Sequence, residues 1–217
     1  VGRQWRFPRQ AVERFLRSEQ SPDHNPLDLQ QAEEISIWPM GCIQLLLDAF
    51  AELLDVMLVL TDLSGKPITE VSNPFPYYTL MQKTDKGHDL CLKTWASLGQ
   101  MHAIEPQLIS TFGDLRCGRA LVRVGNELKG MVIAFGIAPE DWNLRPDIKE
   151  EIRDILNGVG DNTLTSFQAI QPMSESEQEQ VLGTLQHIAD ILSHITHERR
   201  DLLGRLAQIS QLSSIVD

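Results

Sequence analysis

Cysteine is scarce in this chain: three in 217 residues, an odd and widely spaced set. No secreted disulfide framework can be read from them, and a reducing cytoplasm is the expected compartment. No apolar run approaches the roughly 18–20 residues that cross a bilayer, so no membrane role is expected. The first residues also lack the basic, apolar and small-residue pattern of a signal peptide. Positive charge is short as well, with 19 Lys and Arg against 30 Asp and Glu, a net of −11. Missing too are a Ser/His/Asp constellation, a phosphate-binding glycine loop and a metalloprotease helix. The string Asn157-Gly-Val-Gly160 is too short to mark a nucleotide site, and no pair of acids stands out from the solubility charge. The expectation is a protein that is not an enzyme.

What remains is ordinary globular composition, 42% apolar and 23% charged. It leaves room for one medium domain with appendages or two small ones. The charge is divided unevenly. Residues 1–17 carry Arg3, Arg6, Arg9, Arg14 and Arg17 against Glu13 alone, a net of +4, so the rest sums to −15. An acidic body repels nucleic acid, whereas a short basic head can touch phosphate.

In that head Trp5 and Phe7 alternate with Arg6, a strand pattern. Pro8 suits a first helical turn, and Ala11, Val12, Phe15 and Leu16 form a helical apolar stripe. The string Val1-Gly-Arg-Gln-Trp-Arg-Phe7 resembles the last strand of an excisionase-type, MerR-like winged helix-turn-helix, with its terminal helix following. The resemblance implies a remnant of a DNA-binding domain over 1–17, with the recognition helix expected upstream. It makes DNA a partner of the full-length protein, with Arg3, Arg6 and Arg9 as the phosphate-contacting residues. Ser21-Pro-Asp23 and Asn25-Pro26 then mark a linker over 18–34.

Ile43, Leu46, Leu47, Phe50, Leu53 and Leu54 recur at helical spacing and predict an amphipathic helix. Val56–Leu60 reads as a strand, Thr61–Lys66 as a turn, and Pro67–Val71 as the returning arm of a hairpin. Helices are expected over Tyr77–Lys83 and His88–Leu98. Gln107–Phe112, Ala120–Val124 and Leu128–Ile137 follow as strands, the last two joined at Gly125-Asn126. Without a regular βαβ alternation, the fold class is α+β: an antiparallel sheet with covering helices, flanked by long helices.

That element order resembles PAS- and GAF-like sensor modules and, more narrowly over residues 35–200, the PocR-type sensory domain. The matching strings are Val56-Met-Leu-Val-Leu-Thr-Asp-Leu-Ser-Gly-Lys-Pro-Ile-Thr69, Gly87-His-Asp-Leu-Cys91, Gly113-Asp-Leu-Arg-Cys-Gly118 and Leu128-Lys-Gly-Met-Val-Ile-Ala-Phe-Gly136. Gln171-Pro-Met-Ser-Glu-Ser-Glu177 opens a long helix in the same way. The domain proper is placed at 35–170, with a coiled-coil or bundle helix over 171–217. The resemblance implies a small organic ligand, such as a simple hydrocarbon derivative, in the concavity of the sheet. The family commonly has a further cysteine before the helix near Tyr77, where this chain has Phe75-Pro-Tyr-Tyr78. Chemistry that needs that cysteine is not carried over.

A pocket needs apolar walls with a few orienting polar groups, which tyrosine and tryptophan supply. The expected lining is Phe75, Tyr77, Tyr78, Met81, Cys91, Trp95, Cys117 and Phe135. His88, Cys91 and Cys117 form the one metal-like set, suited to zinc or an iron–sulfur cluster, and the two cysteines are alternatively a redox pair. Buried apolar packing of the cysteines is the simpler expectation, with neither metal nor other cofactor.

The strongest periodicity is C-terminal. Val181, Leu185, Ile188, Leu192, Ile195, Arg199, Leu202, Leu206, Ile209, Ser213 and Val216 alternate gaps of four and three. In this phase His187, His194 and His197 fall on the solvent side. Leucine at a with isoleucine at d disfavours a two-stranded coil and favours more helices about the axis. A homodimeric four-helix bundle with the Ile43–Leu54 helix is expected, using Leu185, Ile188, Leu192, Ile195, Leu202, Leu206 and Ile209. The whole reads as the sensory and dimerisation portion of a ligand-responsive transcription regulator, because paired DNA-binding heads must match half-sites about a helical turn apart. A metal- or thiol-redox-sensing module and a purely structural dimerisation module are the alternatives.

Overall fold

A computed structural model describes residues 37–142, 146–155, 166–167 and 170–214. The chain divides into two units, Val1–Ile37 and Trp38–Asp217. The basic head with Arg3, Arg6 and Arg9, and the linker over 18–34, lie outside the described residues.

Helix α1 (Met40–Leu54) buries Ile43, Leu47 and Ala51, one residue per turn, and stops where Asp55 turns left-handed with φ 50°. Its buried line is narrower than the sequence stripe: Leu53 is 76% exposed. Strand β1 (Met57–Thr61) is buried at every residue. It ends in a turn in which Asp62 Oδ1 accepts the N–H groups of Ser64 and Lys66, both at 2.9 Å. Such a side chain mimics a backbone turn.

The returning arm of the expected hairpin does not form a strand. Pro67 and Ser72 make only isolated bridges, to Thr61 and Leu58. Pro67 has no N–H to give. Ile68 and Thr69 both donate to the Leu60 carbonyl, at 2.8 and 3.3 Å, and the chain then bows so that the Glu70 N–H bonds to Gln44 instead.

Helix α2 (Pro76–Met81) starts with proline in its first turn and buries Tyr77 and Met81. Helix α3 (Asp85–Gly99) is capped by Thr84, whose hydroxyl accepts the Gly87 N–H at 3.0 Å. It buries Gly87, Cys91, Trp95 and Leu98. Three strands follow: β2 (Leu108–Ser110), β3 (Arg116–Val124) and β4 (Glu127–Pro139). The turn at Gly125-Asn126 joins the last two, as expected. The main sheet has the order β1-β4-β3-β2 and is antiparallel throughout. A two-residue β5 (Pro172–Met173) adds a parallel contact to β4.

The period of two assigns the two faces. Met57, Val59, Met131, Ile133 and Phe135 join Tyr77, Met81, Cys91 and Trp95 in one cluster under α2 and α3. Gly118, Ala134 and Leu58 lie side by side in register and share the opposite face. A Cβ on Gly118 would stand 3.1 Å from Leu182, in the long helix that covers this face.

Helix α4 (Pro146–Ile155) packs by Ile148 and Ile152 into the first cluster. Helix α5 (Glu175–Ser214) runs 40 residues, about 60 Å at 1.5 Å per residue. It opens with a capping box in which Ser174 N–H donates to Glu177 at 2.7 Å and Glu177 N–H donates back to the Ser174 hydroxyl at 3.4 Å.

The heptad seam splits along α5. Val181, Leu185, Ile188 and Leu192 are buried within the single chain, so the sheet already covers them. Leu185, Ile188 and Leu192 therefore belong to the core and lie outside any dimer seam. A half-buried face separates two neighbouring layers equally well whether the second layer is a helix or a sheet, which is why the pattern alone misassigned them. Past the Arg200 contact to the Val124 carbonyl (3.2 Å), the seam is open: Leu202, Leu206 and Ile209 are 52–62% exposed. His187 and His194 are exposed and His197 partly so, as their phase implied.

Candidate functional site

A cavity of about 360 Å³ opens beside the sheet between α2, α3 and the bowed segment after β1. Pro67, Thr69, Glu70, Val71 and Pro74 form one wall, Tyr78 and Gln82 the next, and His88, Cys91, Leu92 and Trp95 the third. The α3 wall falls at i, i+3, i+4 and i+7, a single helical face. Its lining is largely apolar, with the Tyr78 hydroxyl, the Thr69 hydroxyl, Gln82, His88 and the Glu70 carboxylate as polar groups. Among the described residues no lysine or arginine lines it.

Three of the expected lining residues, Tyr78, Cys91 and Trp95, stand in this wall. Five do not. Tyr77, Met81, Cys117 and Phe135 are buried behind it in the core, and Phe75 packs edge-on against Tyr77 at 6.3 Å. Side chains at those positions meet the sheet or one another, so the concavity of the sheet is filled there. Phe135 makes edge contacts with both Tyr78 and Trp95 at 5.6 Å and sets the two rings against the cavity floor. The wall residues from 67 to 74 carry no periodic signal and were missed for that reason. Leu92 and His88 were legible as neighbours of Cys91 and Trp95 on one helical face.

Desolvation dominates the chemistry of the buried groups. It pushes the Cys91 and Cys117 thiols up to about 12 and the Tyr78 phenol to about 12, with Tyr77 raised as well. Cys117 is held back partly by hydrogen bonding to Thr111 and to the Gly136 backbone, while Cys91 nearby raises it. Neutral thiols are poor nucleophiles and poor metal ligands. His88 is exposed and pairs through Nδ1 with Gln82 Oε1 at 2.7 Å. Among the described residues no three His, Cys, Asp or Glu side chains come together, so His88, Cys91 and Cys117 do not form the ligand set that their types invite. Cys42 is exposed on α1.

Arg119 on β3 reaches past the end of α3, donating to the carbonyls of Met101 (2.6 Å) and Ala103 (2.9 Å). It fixes the connection from α3 to β2, and burial lowers its pKa. No helix among the described residues is long and apolar enough to cross a membrane.

An antiparallel sheet covered by helices on both faces, with a largely apolar cavity opening beside it, defines an α+β domain. The model of the sensory domain found in PocR matches residues 37–197, and the chain belongs to that family. Its role is accordingly sensory. The match includes the sheet-bound first half of α5 and stops just before the open part of the seam. No curated protein and no solved structure matches the chain.

Proposed function

We propose that this chain is the sensory and dimerisation portion of a ligand-responsive transcription regulator. The observation that carries the reading is the cavity of about 360 Å³ inside a sensory domain, walled by Tyr78, Trp95, Leu92 and Val71. Its apolar walls and few polar groups suit a small, mainly apolar organic molecule with one or two hydroxyl or carbonyl groups. The role is binding rather than catalysis. The ligand favours one of two arrangements of the domain, and that population shift alters how the basic head over 1–17 meets DNA. The open half of the seam, from Leu202 onward, pairs two copies so that two heads reach two half-sites.

A thermal-shift screen of small alcohols, ketones and aromatics tests the ligand reading. Stabilisation by at least one compound, lost when Leu92→Trp obstructs the cavity, is the expected result. No stabilisation by any of them would favour a purely structural domain.

A further inference from the structure

The cavity wall is held by α1, the helix that enters the domain from the N-terminal side. Between its bridges at Pro67 and Ser72, Ile68 and Thr69 donate to the Leu60 carbonyl of β1, and the Glu70 N–H and carbonyl need other partners. Gln44 of α1 supplies them. Its Oε1 accepts the Glu70 N–H at 3.1 Å, and its Nε2 lies 3.5 Å from the Glu70 carbonyl oxygen and 3.0 Å from the Ser72 hydroxyl. The same Nε2 donates to Asp48 Oδ1 at 2.9 Å, and Ser72 donates to that oxygen at 2.6 Å. One residue on, Asn73 in a left-handed conformation (φ 51°) points its amide at the carbonyls of Ala51 (3.4 Å) and Val56 (3.3 Å).

The other walls are tied differently. Gly65 and Gly99 let the turn after β1 and α3 approach so closely that a Cβ on either would overlap backbone of the other element. Helix α3 is therefore locked, and the wall at Glu70, between the β1-bonded Thr69 and Ser72, is the part held by the Gln44 side chain. Helix α5 lies across the opposite face of the sheet, held by Ser193, which accepts the Arg123 N–H at 2.9 Å, and by Arg200.

We propose that Gln44 and Asp48 are positioning residues of the cavity, and that its occupancy is read out through α1 rather than through α5. This rests on the cavity being the ligand site. Coupling of this kind is reciprocal: whatever shifts α1 alters affinity in the cavity by the same factor.

Hydrogen exchange of α1 decides the matter. Leu92→Trp narrows the cavity from the α3 side and presses toward the opposite wall without any ligand. In that variant the amides from Ile43 to Ala51 should change their exchange rates at least threefold. The change should vanish in the double variant Leu92→Trp/Gln44→Ala and survive in Leu92→Trp/Ser193→Ala, which loosens α5 instead. Should Leu92→Trp fail to fold, saturating 1-butanol in the wild-type chain against Gln44→Ala replaces it. An undiminished α1 response in the Gln44→Ala background would overturn the proposal, as would a response confined to α5. Absence of stabilisation by any small molecule counts against the ligand site itself, and the Leu92→Trp arm still decides the wiring.

Discussion

Gly136 lies directly beneath the Tyr77 hydroxyl, so close that a Cβ at 136 would stand 2.9 Å from Tyr77 Oη and 2.7 Å from Met57 Cε. The glycine has φ 80°, in the region that L side chains avoid. Gly136→Ala combines a conformational cost of about 1–3 kcal/mol with overpacking of about 1–3 kcal/mol. Urea denaturation should show a loss of at least about 2 kcal/mol.

Trp95→Ala removes more than a cavity wall. Trp95 is buried against Phe135, so truncation should cost about 3–5 kcal/mol, as large-to-small core changes do. Tyr78→Phe keeps the ring against Phe135 and should stay within about 1 kcal/mol of wild type. Loss of ligand response in Tyr78→Phe with an unchanged denaturation midpoint would assign the hydroxyl a role in binding.

Thiol chemistry follows burial. At neutral pH one cysteine, the exposed Cys42, should react quickly with an aromatic disulfide reagent, and all three after unfolding. Stability should fall as pH rises above about 8.5, where unfolded cysteine ionises while Cys91 and Cys117 stay protonated up to about 12. The unfolded chain binds fewer protons over that window, which fixes the sign. Below about 8.5 the contribution is fully present, and replacing both cysteines by alanine should flatten the decline between about pH 8.5 and 10, above which the raised Tyr77 and Tyr78 phenols add their own. A steep decline that survives the double replacement would place its origin elsewhere.

The two halves of the α5 seam should respond oppositely. Leu185→Ala opens the core and should cost about 2–5 kcal/mol of folding stability. Leu206→Asp or Ile209→Asp should leave the melting temperature within a few degrees and convert a dimer to a monomer by light scattering. A wild-type monomer at micromolar concentration would contradict the pairing role of the open seam.

Much of this architecture was legible beforehand because burial writes a period. The β1, β3 and β4 runs, the turn at Gly125-Asn126 and the stripe through Cys91, Trp95 and Leu98 all follow from it. The cavity was legible only in part. Tyr78, Cys91 and Trp95 could be picked by type, but a bulky side chain turned to the sheet looks like one turned to a ligand, and Tyr77 and Phe135 went the other way. The wall from Pro67 to Ser72 was legible only as the arm of a hairpin, because its bonds to Gln44 and Asp48 are long-range side-chain contacts that leave no local mark.

The most direct test is the shift in melting temperature of the wild-type chain and of Leu92→Trp across one panel of small alcohols, ketones and aromatics. A ligand at a hundred times its Kd adds about 2.7 kcal/mol, which for a domain of this size raises the midpoint by about 5–10 °C. The account predicts that rise for at least one compound in the wild type and none in Leu92→Trp. Equal shifts in both proteins, or no shift with any compound, would contradict it.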